Sequence, residues 1–190
     1  GSNTTAAAAV LAAGRHVDLA SATALIFAGT GPVGQRAAQI LTGLGATVRI
    51  VSRNVDRAEQ TCESIRSSVA GAKVTAHAIT SDESFALAAD GVEVVMATGA
   101  AGIQLLSSDQ RSRMKSLKVA IDVNAVPPVG IEGIEVFAKA EEQKGVFCYG
   151  AIGVGGTKMK IHKAAVAKLF TASDLILDTD AIFEIGRALS

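Results

Sequence analysis

Short, nearly continuous apolar runs alternate along this chain with longer stretches in which apolar residues recur every three or four positions. The runs at residues 22–29, 46–53, 73–79, 93–100, 118–124 and 145–151 read as strands, because each is brief, rich in Val, Ile, Leu and Ala, and bounded by Gly or polar residues. The helical rhythm covers 33–45, which ends on glycine, then 56–70, 82–90 and 107–115. Two more helices, 157–170 and 178–189, close the chain, and an alanine-rich helix capped by Asn3 or Thr4 runs to Gly14 at its start. Strand following helix in this way means βαβ units with right-handed crossovers. The expected fold class is α/β, a Rossmann-type doubly wound parallel sheet. In such sheets ligands sit outside the carboxyl ends of the strands, so the loops after the strands hold the candidate chemistry.

The loop after the first strand reads Gly29-Thr30-Gly31-Pro32-Val33-Gly34 and opens a helix. A lone G-x-G-x-x-G is weak, but strand before and helix after is the context a dinucleotide requires. Gly29 serves the tight turn, Gly31 lets a pyrophosphate approach the backbone, and Gly34 lets the helix pack close to the strand. The free N–H groups of the helix then face the phosphates. The second strand ends in Ser52-Arg53-Asn54, where an NAD site would place a carboxylate on the ribose 2′-OH. A hydroxyl and a guanidinium suit a 2′-phosphate instead, with Arg57 one turn on. The cofactor expected is NADP. The alternative for Arg53 is a solvated surface charge.

Small residues at Ala97, Thr98, Gly99 and Ala100 follow the fourth strand and leave room for a nicotinamide ribose. After the fifth come Asp122, Asn124 and Ala125. Asn124 suits a carboxamide; Asp122 is open to a structural role, bonding backbone at the strand end, or a functional one. Residues 150–158 read as a second glycine-rich loop, in which Gly153 and its neighbours would let a flat ring stack on the main chain. Lys158 would stand in the first turn of the next helix, where the dipole disfavours a cation. It reads as a partnered or pKa-lowered lysine, or as one reaching to solvent. His16, His77 and His162 have no partner visible in sequence.

Composition narrows the picture. The chain has 190 residues with 18 Lys+Arg and 18 Asp+Glu, so no global field attracts nucleic acid or an anionic membrane. Hydrophobic residues make up 49% with no Trp, which leaves a core of Ala, Val, Ile and Leu. Cys62 and Cys148 lack metal-ligand spacing, and no metal site is expected. No apolar run is long enough to span a bilayer, and a reducing cytoplasm is the expected location.

Six segments together resemble one family. “GSNTTAAAA”, “AGTGPVG”, “VSRNVDRA”, “TGAAGIQLL”, “DVNAVPPVGIEGI” and “GAIGVGGTKMKIHKAAVAKLF” are similar to the NADP-dependent methylenetetrahydromethanopterin dehydrogenases, some of which also use methylenetetrahydrofolate. The layout also resembles the bifunctional methylenetetrahydrofolate dehydrogenase/cyclohydrolases. The resemblance implies hydride transfer from a C1-carrying reduced pterin to NADP in one-carbon metabolism. It implies an additional N-terminal α/β domain on which the terminal helices would pack. Residues 1–20 would then be a crossing helix and linker, 21–156 the NADP domain and 157–190 the returning helices. Lys158 matches a lysine of the family's final loop and would act on the pterin as the catalytic residue. Thr4 and Thr5, at the domain crossing, would line the substrate cleft. A homo-oligomer is expected from the apolar face such a domain would cover.

Two other readings stay open. One is an NADP reductase of shikimate-dehydrogenase-like plan, against which the “DVNAVPP” loop speaks. The other is a non-catalytic NADP-binding module or truncated remnant.

Overall fold

In the computed structural model, which describes residues 1–189, seven strands form one sheet in the order β3-β2-β1-β4-β5-β7-β6. The elements run α1 (Ser2–Ala13), β1 (Thr23–Phe27), α2 (Pro32–Gly43), β2 (Thr47–Val51), α3 (Val55–Ser68), β3 (Lys73–His77) and α4 (Asp82–Ala89). They continue β4 (Val94–Ala97), α5 (Ser108–Arg113), β5 (Val119–Asp122), β6 (Lys139–Gln143), β7 (Val146–Tyr149), α6 (Ala151–Leu169) and α7 (Thr179–Ala188). All neighbours pair in parallel except β6, which returns antiparallel to β7.

Alternation along the strands sorts side chains between two cores. Ala24 and Ile26 face α1, α2, α3, α6 and α7, while Leu25 and Phe27 face α4. Burial on both faces is why the strands read as continuous apolar runs. The strand order reverses between β1 and β4, which puts the crevice for a ligand above Phe27 and Ala97.

Helix α1 is enclosed by its own chain. Ala6, Ala7, Ala8 and Ala9 have at most 1% exposure, packed among α2, α6 and α7. Methyl side chains permit that close approach of four helices. The helix N-cap is Gly1, not Asn3 or Thr4, and both Thr4 and Thr5 donate their hydroxyls back to the Gly1 carbonyl.

Two elements differ from the pattern-based expectation. Strand β6, “KAEEQ”, lies on the sheet edge, is mostly exposed, and so carries no apolar alternation to read. Helix α6 begins at Ala151 rather than at residue 157, so the glycine-rich stretch is helix, not loop. A Cβ on Gly150 would lie 2.1 Å from the Glu135 carbonyl oxygen, and one on Gly153 would lie 1.8 Å from that of Ala138. These glycines let α6 start flush against the segment leading into β6.

Candidate functional site

The β1–α2 loop is built to leave space at one glycine. Gly34 is buried, and a Cβ there would stand 2.6 Å from Gly29 Cα and 2.7 Å from Thr98 Oγ1. Gly29 is equally closed, with Ile50 Cγ2 at 2.8 Å. Gly31 differs: its backbone is extended (φ −78°, ψ 166°) and a Cβ would meet nothing nearer than the Ala28 carbonyl oxygen at 3.4 Å. The fold needs glycine at 29 and 34, but not at 31, so the bareness of 31 serves whatever lies on the loop. Gly31 is also the N-cap of α2, and Pro32 follows at the first helical position. No side chain caps this end, so its N–H groups are left for an anion. Gln35 Nε2 braces the loop by donating to the Thr30 carbonyl at 2.7 Å, and Thr98 Oγ1 donates to the Phe27 carbonyl at 2.9 Å.

Two clefts flank this loop and share Gly99. The smaller, about 270 Å³, is lined by Thr30, Ser52, Arg53 and Arg57 together with Ala100, Ile103 and Leu105. Asn54 caps α3, its Oδ1 accepting from the Arg57 N–H at 3.0 Å. Arg53 and Arg57 are exposed, and neither forms an ion pair among the described residues. Two unpaired guanidinium groups thus border a pocket with an apolar floor.

The larger cleft, about 720 Å³, is lined by Thr5, Val33, Thr98, Asn124, Ala125 and one face of α6, including Lys158 and Met159. Asp122 holds its wall. That carboxylate is 1% exposed and accepts from the backbone N–H of Asn124 at 2.9 Å and of Ile131 at 2.8 Å. Burial pushes its pKa up, and these backbone bonds pull against the rise. Of the two roles left open by the sequence, the structure gives Asp122 the structural one: it clamps the loop that carries Asn124. Asn124 is buried, and its Nδ2 has no hydrogen-bond partner.

Residues 2–172 match the family model described as alanine dehydrogenase/PNT, C-terminal domain. The chain belongs to this family. It is 39% identical over its whole length to the bifunctional protein MdtA of Methylorubrum extorquens AM1. It is 32% identical, over 94% of its length, to the NAD(P)-dependent methylenetetrahydromethanopterin dehydrogenase of the same organism. It spans 66% and 63% of those relatives, just under two thirds of each. Among solved structures, a transhydrogenase from Sinorhizobium meliloti superimposes with a TM-score of 0.64 at 23% identity, over 98% of this chain and 53% of the other. That likeness is one of fold. The chain is therefore a nucleotide-binding domain of the dehydrogenase type on a Rossmann-like sheet.

Several residues singled out in the sequence sit elsewhere than expected. Ala97 is fully buried inside the sheet and lines neither cleft. Thr4 is buried at the α1 N-terminus, so Thr5 alone of the pair reaches the larger cleft. Gly153 backs onto the Ala138 carbonyl and lines neither cleft; Gly155 and Gly156 face the larger cleft with no atom near a would-be Cβ. Lys158 is the eighth residue of α6, beyond the first turn, so the dipole argument for a perturbed lysine lapses. Pro32 is exposed at the start of α2.

Other residues were missed. Ile103 and Leu105 floor the smaller cleft, and their signal was apolar residues inside a loop, “GIQLL”. Ile152 and Met159 line the larger one because the helix starts early. His16 and His77 both have partners: His16 Nε2 bonds Tyr149 Oη at 2.8 Å and stacks on Phe147, and His77 Nε2 bonds Thr75 Oγ1 at 3.0 Å. Among the described residues no helix is long and apolar enough to cross a membrane.

Proposed function

We propose that this domain binds NADP and serves hydride transfer from a methylene group carried between two nitrogens of a reduced pterin. The observation that carries this reading is the titratable content that this chain contributes to the larger cleft. Among the described residues lining it, Lys158 is the one ionisable side chain. Oxidising an alcohol or an amine removes a hydride and a proton, and asks for a base. A methylene carbon flanked by nitrogens loses only the hydride: the C–H bond breaks, its electron pair leaves, and a nitrogen lone pair forms the new C=N bond. No proton moves, so a cleft that supplies position and dryness suffices.

The chain's residues fit a dinucleotide. Gly31 offers the bare backbone and α2 its free N–H groups for two phosphates. Ser52, Arg53 and Arg57 border the smaller cleft where a 2′-phosphate would meet charge-assisted donors and no repelling carboxylate. Thr30 and Ala100 line that cleft, Val33 and Ala125 the other, and Asn124 has an amide left to pair. The nicotinamide, when bound, supplies the hydride acceptor. Lys158 and Thr5 then hold the polar edge of the pterin away from the reacting carbon, while Ile152, Val154 and Met159 exclude water. The substrate class is supported by the name of the dehydrogenase relative. In this reading the wall facing Thr5 and Lys158 comes from outside these 190 residues.

The test is NADPH formation from methylene-tetrahydromethanopterin and from methylene-tetrahydrofolate, with NAD+ in parallel. It uses this chain and a version extended to the length of its relatives. The expected result is turnover by the extended protein with NADP+, and little by the 190 residues alone. Turnover of alcohols or amines in place of both pterins would overturn the reading.

A further inference from the structure

Helix α1 is smooth where it meets α2. The two helices share one apolar cluster, to which α1 gives Ala6, Ala7 and Ala9 and α2 gives Ala37, Ala38 and Leu41. Apolar contact is non-directional, so it holds two helices together without fixing their register along the axes. A polar tie at one end does that. Arg36, in the second turn of α2, donates from Nε to Asn3 Oδ1 and from a terminal nitrogen to the Pro32 carbonyl at 2.9 Å. Thr179 Oγ1, at the start of α7, lies 3.5 Å from the same Asn3 oxygen. Asn3 thus turns its side chain to two neighbouring helices and not to the end of its own, whose N-cap is Gly1.

This tie lies directly behind the larger cleft. Thr5, two residues after Asn3, and Val33, three before Arg36, both line it. Pro32, whose carbonyl Arg36 holds, follows Gly31 in the glycine loop. Asn3, Arg36 and Thr179 themselves line neither cleft. Arg36 is half-buried and forms no ion pair among the described residues, so its partners are these neutral oxygens. A guanidinium carries its donors in a rigid fork and can fix two acceptors relative to each other; an ammonium on a flexible stem cannot.

We propose that Arg36 is a positioning residue: through Asn3 it fixes the α1 N-terminus, with Thr5, against the α2 N-terminus, with Gly31 and Val33, so that the substrate side and the dinucleotide side of the larger cleft keep one register. The inference rests on the reading of that cleft as the place of hydride transfer. Thr5 on α1 then steadies the substrate while α2 faces the dinucleotide, and transfer between them is sensitive to displacements far smaller than a helical turn.

The experiment has two arms. In the first, amide spectra of the isotope-labelled chain are followed on addition of NADP+. The Asn3 side-chain amide and the Thr179 backbone amide, remote from both clefts, should shift together with Gly31 and Gly34. In Arg36→Met, which keeps an apolar stem and loses the donors, Gly31 and Gly34 should still shift, at an NADP+ affinity within about twofold of wild type, while Asn3 and Thr179 no longer respond. The second arm is steady-state kinetics of the extended protein with a methylene-bearing pterin. Arg36→Met and Asn3→Ala should each lower kcat about tenfold and leave KM within about twofold. The double variant should be no slower than either single one, because both remove the same tie. Arg36→Lys should recover part of the loss. Gln39→Ala removes another link from α2 to α7, the 3.3 Å contact of Gln39 Nε2 with Asp180, away from both clefts, and should leave kcat unchanged.

A lowered urea midpoint with kcat intact would make Arg36 a structural clip alone. Weaker NADP+ binding in Arg36→Met but not in Asn3→Ala would make it a counter-charge for the phosphates. Either result, or additive losses in the double variant, would overturn the proposal. So would Asn3 signals that ignore NADP+ in the wild type or follow it equally in Arg36→Met. An extended wild-type protein that turns over no methylene-bearing pterin would strike the reading of the reaction instead, and the first arm, which needs no turnover, would still decide the tie.

Discussion

Substituting Gly31 and Gly34 in parallel separates what the glycine loop does for the fold from what it does for a ligand. In Gly31→Ala the new methyl stands 3.4 Å from the Ala28 carbonyl oxygen and 3.8 Å from that of Thr98, both ordinary contacts, on backbone any residue adopts. Removing glycine's freedom from the unfolded chain stabilises by about 0.4–1 kcal/mol. Alanine is a poorer N-cap than glycine by about the same amount. The two terms cancel to within about 1 kcal/mol, which for a domain of this size moves Tm by no more than about 2–4 °C. In Gly34→Ala the methyl would press on the Gly29 backbone at 2.6 and 2.9 Å and on Thr98 Oγ1 at 2.7 Å, none of them the end of a flexible side chain. Overpacking against backbone costs about 1–3 kcal/mol or more. Denaturant unfolding should therefore show Gly31→Ala near wild type and Gly34→Ala clearly weakened. Calorimetry with NADP+ should show the reverse emphasis: the stable variant loses at least about tenfold in affinity, or about 1.4 kcal/mol. A folded Gly31→Ala that binds NADP+ as wild type does would mean that the phosphates do not lie on this loop.

Arg53→Ala should weaken NADP+ by about 1–3 kcal/mol, the worth of a charged hydrogen bond, and leave NAD+ nearly unchanged; equal losses for both nucleotides in calorimetry would remove the 2′-phosphate from the smaller cleft. Gly153→Ala should lower the urea midpoint by the equivalent of about 3 kcal/mol or more, since its methyl would fall 1.8 Å from the Ala138 carbonyl oxygen, and an unchanged midpoint would refute the tight seating of α6. Stability should also fall with pH below 6.5. The pKa of His16 is lowered by burial and then by Arg15, and that of His77 by burial and then by Arg49, so the unfolded chain takes up these protons first as pH drops. Urea midpoints across that range, compared with those of His77→Gln, isolate the histidine from Asp122, whose raised pKa works in the opposite sense; an identical pH slope in the variant would refute its part.

The fold was readable because most of its decisions are made by burial. Strands β1, β4 and β5 are buried on both faces, and that double covering is what writes a continuous apolar run into a sequence. The same logic hides β6. An edge strand with one neighbour and no cover needs no apolar residues, and “KAEEQ” is held by its hairpin to β7 instead. Its one local signal was Lys144-Gly145, both left-handed, joining paired residues Gln143 and Val146. That dipeptide is common enough in loops to pass unread.

The candidate site divides along a different line. Gly29, Gly31, Gly34, Ser52, Arg53 and Arg57 were legible because local backbone chemistry and strand order place them, and both are set by neighbours in sequence. Gly153 and Ala97 misled for the complementary reason. A glycine's bareness is a statement about what comes close to it, and the sequence does not say what does. At Gly31 nothing in the chain comes close, which leaves the space to a ligand; at Gly153 the visitor is the Ala138 carbonyl, fifteen residues back and brought in by a strand that has no apolar signature. Reading the second glycine stretch as a loop followed from its four glycines, and the supposed first-turn position of Lys158 followed from that loop. Glycines that serve close packing thus moved a helix start by six residues and changed the electrostatic setting of the candidate catalytic lysine. With α6 extended to Ala151, Lys158 stands well inside a 19-residue helix and lines the larger cleft, rather than being an isolated charge at a helix end. Its chemistry is then to be sought in what the larger cleft binds, not in the dipole of a helix terminus.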